Sequence, residues 1–600
     1  MPAFQWMRTY QRGDLSADLS AGFMLTIMLI PQSMAFALLA GLPASSGLYA
    51  ATVPALIYAL FGSSRHVNVG PAAIISLLTF SAVSALSDPG TSDYIGLTLL
   101  LMLIVGVMQF GLGLIRAGFI ARFFSQAVLS GFTSAAAIVI SLTQLENLLG
   151  IDISSRGSAI ESAIEVGREI RNIHWETAAI GIVSLAVLLG YRHLVPRLPT
   201  HLLLIAARFP APLILVIGGT LLVWILGLDA DGVSVVGDIP RGLPQPSMPT
   251  LDSDSLLTLA PGAMTITFIG YVQSISIART IAAREKDSVD ANQELYALGL
   301  SNIAGSFFSG FPVTGSFART AVNYQAGART QVSGMVAAGL IFLTLLVLTP
   351  LFYYLPNAVL AATIIVAVSG LINIREARHY FDVRRLDGLT VAVTFIATVI
   401  IGVEWGVIVG LLFSLVVFIW RSTDPHAAEV GYVELEGHFR NISRYPEAIV
   451  YPNTLILQIA APLYFANIEE LSRRIESATT DREQLEWVIL DFSGVADIDA
   501  VAADLLEDLV RSYRAGGVTV LLAGVRGHVL DVFVRAGWRD RHPRALHHPT
   551  VQLALESLGL MDRYAESGRV GLFGALPQDD VVPGVEDDWP ELMEQRSRDR

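Results

Sequence analysis

Apolar stretches of about 20 residues recur along the chain from Leu15 to Trp420, which is the length a helix needs to cross the hydrocarbon core of a bilayer. Several stretches run together with only a glycine or a proline between them, and we predict about 14 spans. After Trp420 the pattern changes. From about residue 436 to 560, short β-rich apolar runs alternate with amphipathic helical patterns. The alternation predicts a separate soluble α/β domain.

One apolar stretch in the second half is interrupted in a way that predicts an anion site. Gly310, Pro312 and Gly315 forbid a continuous helix, and SFARTAV then begins a short one with Ser316 at its N-cap. A helix that starts inside a membrane leaves its first N–H groups unpaired and directs its positive end at the gap. Arg319, in the first turn, stays protonated when buried and needs a negative partner. The alternative is a glycine-rich loop with Arg319 at the surface.

A similar interruption occurs in the first half. Residues 67–69 predict a short extended strand, Gly70 a turn, and Pro71 the first position of a new helix. Two half-helices, at about 69–86 and 314–326, are typical of an inverted-repeat transporter whose half-helix N-termini converge on a site inside the membrane. The two repeats would cover about 15–230 and 255–421.

The first span carries a further polar feature. Pro31 and Gln32 interrupt it, and a polar residue beside a proline break often lines a cavity. Gln32 and Phe36 lie one turn apart on the same face and are candidates for such a lining. The alternative is a kink at which Gln32 bonds to a neighbouring helix.

Composition agrees with a membrane protein and excludes other classes. The chain is 53% hydrophobic and 15% charged, with a mean hydropathy of +0.56, whereas soluble proteins are about 25% charged. The net charge of −14 is concentrated in the C-terminal third, which favours a solvated acidic domain and argues against nucleic-acid binding. Cysteine is absent, so disulfides and thiolate metal sites are excluded. No nucleophile, acid/base pair or metal cluster appears, so we expect no enzyme and no cofactor.

Topology follows from charge and span number. An even number of spans places both termini on one side, and the arginines of segment 373–387 make that side cytoplasmic. We therefore expect a multi-pass protein of the cytoplasmic (inner) membrane. Residues 1–14 would form a cytoplasmic N-terminal segment. Residues 568–600 are acidic and are expected to be a disordered tail.

Three separated motifs, in order, resemble the sulfate permease (SulP) family of anion transporters. They are IPQSMAFALLAGLPASSGLY (30–49), FGSSRHVNVGPAAIISL (61–77) and FPVTGSFARTAVNYQAGARTQVSG (311–334). WVILDFSGVADIDAVAADLL (487–506) resembles the core of the STAS domain that ends these transporters. The resemblance implies a 7+7 inverted repeat, an elevator-like motion of a core against a gate, and a homodimer.

The resemblance also implies which residues bind the anion. In the family, it sits between the N-termini of the third and tenth helices. The matching residues here are Gly70, Pro71, Ala72, Gly315, Ser316, Phe317, Ala318 and Arg319. Gln32 and Phe36 match first-helix positions that line the same pocket.

The sequence departs from proton-coupled relatives at one position. They tend to carry a glutamate in the eighth helix, in a pattern like EAIAIGR, where this chain has QSISIAR beginning at Gln273. Glutamine can hydrogen-bond a substrate oxygen but cannot titrate. Coupling to H⁺ or Na⁺, exchange and uncoupled transport therefore all stay open. His66 titrates near neutral pH, although a loop histidine satisfied by a neighbour is the alternative interpretation.

The sequence thus predicts secondary active transport of a small inorganic anion across a lipid membrane, with sulfate as the leading substrate. Bicarbonate and C4-dicarboxylates are alternatives within the family. A different class, a membrane-anchored anion sensor or scaffold acting through the STAS domain, is also considered. The polar breaks in both halves favour transport, because a mere anchor would need neither. The residues from Asp499 to Ala502 contain no serine, so we expect no phosphorylation switch there.

Overall fold

A computed structural model describes residues 2–122, 124–151, 159–194, 211–249, 252–451, 453–480, 482, 484–546 and 548–561. The chain divides into two compact units, Met1–Phe418 and Ile419–Arg600. The predicted acidic tail at 568–600 lies outside the described residues.

The first unit consists of helices and two very short strands. They are α1 (Ala3–Thr9), α2 (Arg12–Leu39), α3 (Ala44–Ala50), α4 (Val53–Phe61), β1 (Val69–Gly70), α5 (Ala73–Ser84), α6 (Ser92–Leu114), α7 (Gln126–Thr143), α8 (Leu145–Leu149), α9 (Ala159–Glu169), α10 (Trp175–Leu194), α11 (Ala211–Leu226), α12 (Ser253–Glu285), α13 (Ala291–Ser306), β2 (Thr314–Gly315), α14 (Phe317–Gln325), α15 (Val332–Leu343), α16 (Asn357–Ser369), α17 (Ile374–Val383), α18 (Arg385–Ile400) and α19 (Val403–Ser422).

The helices bear out the prediction of a polytopic membrane protein. Within the described ranges, eight helical segments are long and apolar enough to cross a membrane, and three shorter apolar helices, including α5, accompany them. The number of about 14 spans stays a prediction.

The first span differs from its prediction. Helix α2 continues from Arg12 to Leu39 with Pro31 inside it, so the expected interruption at Pro31 and Gln32 is wrong. A proline removes one backbone donor, but surrounding helices can hold a membrane helix together. Here α3 packs directly against α2, and a Cβ on Gly47 would lie 1.8 Å from the carbonyl oxygen of Ser33.

The start of α5 also differs. The helix begins at Ala73, with Ala72 as its extended N-cap, so Pro71 lies before the helix and not at its first position. Gly70 makes no left-handed turn, because it belongs to β1. The reason is long-range: antiparallel pairing of β1 with β2 keeps this segment extended.

The second unit contains a five-stranded sheet covered by helices. Its elements are β3 (Ala427–Val433), β4 (His438–Asn441), β5 (Thr454–Ile459), α20 (Ile468–Thr480), β6 (Trp487–Asp491), α21 (Ala500–Ala515), β7 (Thr519–Ala523), α22 (Gly527–Arg535), α23 (Trp538–Arg541) and α24 (Val551–Ser557). The sheet order is β4-β3-β5-β6-β7, with β5, β6 and β7 parallel. The strands and helices predicted from β5 to α22 are present. Strand β3 starts before residue 436, where the sequence pattern places the beginning of the domain.

Candidate functional site

A two-stranded ribbon brings the two helix breaks together. Val69 pairs with Gly315 and Gly70 with Thr314 across β1 and β2, so α5 and α14 both begin beside the same ribbon. The two halves of the membrane unit thus meet where each interrupts a helix.

Neither half-helix is capped by a side chain at its N-terminus. Ala72 has no suitable side chain, and Ser316 occupies the N-cap position of α14 without its hydroxyl accepting a hydrogen bond from the helix. The sequence correctly places Ser316 at the helix start. Its hydroxyl does not cap the helix, but its backbone N–H donates to the carbonyl of Asn68 at 3.2 Å and so links α14 to the first half. First-turn N–H groups have no acceptor within their own helix, so both termini present positive dipole ends.

Arg319 joins the two breaks from within the protein. Its side chain is fully buried, which excludes the surface alternative. Nε donates to Oδ1 of Asn68 at 2.9 Å, and Nη1 donates to the carbonyl oxygen of Pro71. Nη2 is buried and has no hydrogen-bond partner among the described residues. The guanidinium is therefore held by neutral acceptors of the opposite half, with one donor group left unpaired.

The two glycines of the ribbon make room for this arrangement. A Cβ on Gly70 would lie 3.3 Å from Nη2 of Arg319. A Cβ on Gly315 would lie 2.7 Å from Oγ and 3.2 Å from Cα of Ser274 on α12. Gly315 therefore has no room for a side chain, whereas a side chain at Gly70 would fit only if the end of Arg319 moved.

Gln273 also reaches the ribbon. Its Nε2 donates to the carbonyl of Gly315 at 3.1 Å, and its Oε1 has no hydrogen-bond partner among the described residues. The amide thus fixes the end of β2 and keeps one polar atom unused. A glutamine can do this, but it supplies no titratable group at that place.

The first-helix candidates are less directly connected. Gln32 and Phe36 are both buried on α2, which packs against α5 and α14. Oε1 of Gln32 has no partner in the part of the chain that is described. Among the described residues, Gln32 makes no side-chain hydrogen bond to the ribbon, and the role of Gln32 and Phe36 in binding stays a prediction.

Exposure differs sharply within the site. Pro71, Ala72 and Ser316 are buried, whereas Phe317 and Ala318 at the start of α14 are exposed. The accessible side of the site therefore lies at the first turn of α14.

Sequence reasoning missed Asn68 as a site residue. Its side chain receives Arg319, while its backbone N–H donates to Oγ1 of Thr320 at 3.1 Å. Asn302, on α13, similarly supports the other break, since Val313 N–H donates to its Oδ1 at 2.9 Å. A single asparagine in the apolar stretch VNVG was the available signal, but its partner lies about 250 residues away, and local patterns cannot show that.

The chemistry of this site suits an anion. It offers a buried guanidinium donor and two uncapped helix N-termini, and no carboxylate among the described residues pairs with Arg319. Groups of acidic and histidine residues that could hold a metal ion are absent from the described residues. Fold and site together have the features expected of a membrane anion transporter followed by an α/β domain.

The chain belongs to the sulfate permease family. That family's sequence pattern matches residues 15–394, and the STAS domain matches residues 445–554. Members of this family are transporters, so the protein is a transporter and not an enzyme.

Individual relatives extend over most of the chain. Probable sulfate transporter 4.2 of Arabidopsis thaliana is 38% identical, covering 89% of this chain and 80% of that protein. Sulfate transporter 4.1, chloroplastic, of the same plant is also 38% identical, covering 89% and 79%. The structure of the murine solute carrier 26 family member A9 anion transporter in the inward-facing state superposes with a TM-score of 0.85 at 26% identity, covering 93% of this chain and 94% of that one.

Proposed function

We propose that this protein is a secondary active transporter of sulfate or a similar small oxyanion. The anion binds between the N-termini of α5 and α14 beside Arg319 and crosses the membrane by elevator-like alternating access. The observation that carries this proposal is the buried guanidinium of Arg319, whose Nη2 has no partner among the described residues.

Energetics explain why that observation points to a ligand. Burying an unpaired charge costs several kcal/mol, and neutral acceptors such as Asn68 and Pro71 compensate only in part. A buried donor left unsatisfied adds about 1 to 3 kcal/mol. An oxyanion at the first turn of α14 would pair with Nη2 and would also interact with both helix dipoles. A doubly charged anion gains the most binding free energy from Nη2 and the two helix dipoles, which favours sulfate. The two relatives at 38% identity, which are named as sulfate transporters, also favour sulfate.

The same contacts support an elevator-like motion. Strand pairing between β1 and β2 and the bonds from Arg319 to Asn68 and Pro71 tie the two half-helices to each other. Elements linked in this way would move as one body and carry the bound anion with them.

Charge supports the orientation. Arg375, Arg378, Arg384 and Arg385 are exposed on α17 and at the start of α18. The positive-inside rule places this segment, both termini and the STAS domain in the cytoplasm, with the bundle in the cytoplasmic membrane. A homodimer, as the family resemblance implies, is part of the proposal.

Radiolabelled sulfate uptake into proteoliposomes tests the proposal, with proton and sodium gradients imposed separately. We expect saturable uptake that unlabelled sulfate abolishes and that bicarbonate or succinate reduces only at high excess. Bicarbonate or succinate flux without sulfate flux would transfer the assignment to those substrates. Sulfate binding without any flux would support the sensor or scaffold alternative instead.

A further inference from the structure

A polar cavity of 790 Å³ opens in the first unit, next to the loop that precedes β1. Its lining includes His66 from the loop before β1, Tyr324 from α14 and Glu285 at the end of α12. The cavity brings solvent to a residue only two positions before Asn68.

His66 is buried but is not satisfied by its neighbours. Its side chain is 9% exposed, and Nδ1 is shielded and lacks a hydrogen-bond partner among the described residues. The ring packs edge-on against Tyr324, with 5.3 Å between centroids, and the Tyr324 hydroxyl donates to Glu285 at 2.5 Å. At Nδ1, therefore, the ring is not satisfied by a neighbour, which argues against the interpretation of His66 as a satisfied loop histidine.

The backbone of His66 connects directly to the anion site. Its carbonyl accepts a hydrogen bond from Nδ2 of Asn323 at 3.0 Å, and Asn323 lies one turn after Arg319 on α14. Two residues along, Asn68 receives the guanidinium of Arg319. Protonation of the imidazole would therefore place a positive charge on the same segment that holds the guanidinium of Arg319.

Charged groups from several elements face His66. Those that act on it through their charge are Glu285, Asp287, Asp18 and Arg65. Asp14, Lys286 and Arg329 also line the cavity. Arg65 pairs with Asp287 at 3.4 Å, and Arg329 pairs with Asp14 at 2.8 Å. Burial of the ring lowers the pKa of His66 below its ordinary value, and Arg65 acts in the same direction. The three carboxylates act against this and favour a proton on the ring, so we expect His66 to take up its proton on the acidic side of neutrality.

We propose that His66 is the proton-binding site that couples protons to anion binding, the task that Gln273 cannot perform. This inference rests on the proposed anion transport. A proton from the cavity adds to a ring nitrogen of neutral His66 and gives an imidazolium beside the anion site. The positive charge strengthens anion binding, and by linkage the bound anion strengthens proton binding by the same factor.

Sulfate affinity of the purified full-length protein, measured by isothermal titration between about pH 5 and pH 8, tests the inference. Sulfate keeps its charge over this range, so a change in affinity reports on the protein. We expect the wild type to bind sulfate about 5- to 150-fold more tightly at the acidic end, the usual range for coupled sites. His66→Gln should bind with an affinity that changes less than about twofold. His174→Gln, a histidine that bonds Thr177 elsewhere in the unit, should keep the wild-type profile.

A second variant protects the test against a misfolded His66→Gln protein. Glu285 is exposed, and Glu285→Gln removes one negative charge facing His66, so the midpoint of the pH profile should move to lower pH. A wild-type profile in His66→Gln, or no shift in Glu285→Gln, would overturn the role of His66. So would a wild-type affinity independent of pH, although sulfate binding itself would then still stand. Absence of binding and uptake of any oxyanion by the wild type would instead contradict the proposed function.

Discussion

Replacing Arg319 by glutamine removes the charge from the proposed anion site while keeping a polar side chain of intermediate length. A hydrogen bond to a charged group contributes about 1.5 to 3 kcal/mol. At 1.4 kcal/mol per tenfold change, Arg319→Gln should weaken sulfate binding about 10- to 150-fold. Arg319→Lys keeps the charge but cannot reach Asn68, Pro71 and an anion through one planar group, so we expect an intermediate affinity.

The effect on folding is separable from the effect on binding. Loss of the guanidinium leaves Oδ1 of Asn68 and the carbonyl of Pro71 without their donor, but it also removes a buried charge that costs several kcal/mol. These terms oppose each other, so the stability of the ligand-free protein should change less than its response to sulfate. Sulfate at 100 times the dissociation constant should stabilise the wild type by about 2.7 kcal/mol. The same concentration should stabilise a variant that binds about 10- to 150-fold more weakly by only about 0.3 to 1.4 kcal/mol.

Thermal unfolding in detergent, with and without sulfate, measures both quantities on the same sample. Arg378→Gln is the matched control, because Arg378 is exposed on α17 and its ion pair with Asp382 is long, at 4.0 Å. Sulfate should shift the control as it shifts the wild type. A sulfate response of Arg319→Gln equal to the wild-type response would refute the placement of the anion at this guanidinium.

Other substitutions test the ribbon and the STAS domain. Gly70→Ala places a Cβ 3.3 Å from the movable end of Arg319, so it should weaken sulfate binding more than folding. Gly315→Ala should instead lower stability by about 1 to 3 kcal/mol, because its Cβ meets a packed helix, and melting curves with and without sulfate separate the two outcomes. In the STAS domain, Arg541 holds the pKa of the Glu507 carboxyl below its usual value. The stability that this ion pair contributes to the domain is complete above the unfolded-state pKa of about 4.3 and is lost as pH falls through the folded-state pKa. Glu507→Gln should therefore flatten the acid dependence of the melting temperature of this domain. An unchanged acid dependence would show that the ion pair does not cause it.

The breaks in the membrane helices could be predicted from sequence because the residues at each break themselves prevent a continuous helix. Gly310, Pro312 and Gly315 are incompatible with a continuous helix, and the helix of residues 317–325 follows where SFARTAV predicts it. Pro31 shows the limit of the same rule, since packing against α3 keeps α2 helical around it.

The geometry of the site could not be predicted, because it depends on contacts between the two halves of the unit. Pro71 was expected to start a helix, but pairing of β1 with β2 moves that start to Ala73. The acceptors that hold Arg319 lie on a segment about 250 residues earlier in the chain. In the STAS domain, the charged residues Glu429 and Arg440 within β3 and β4 weaken the apolar alternation that marks strands elsewhere.

The central claim is that a small oxyanion binds between the two half-helix N-termini at Arg319, and selenate makes this directly visible. Selenate has the shape and charge of sulfate, and its selenium scatters anomalously at an accessible X-ray wavelength. A crystal of the full-length protein grown with selenate should show an anomalous peak at a position where the selenate oxygens lie within hydrogen-bonding distance of Nη2 of Arg319 and of the first-turn N–H groups of α5 and α14. A peak elsewhere in the membrane unit, with Nη2 still unpaired, would contradict the account.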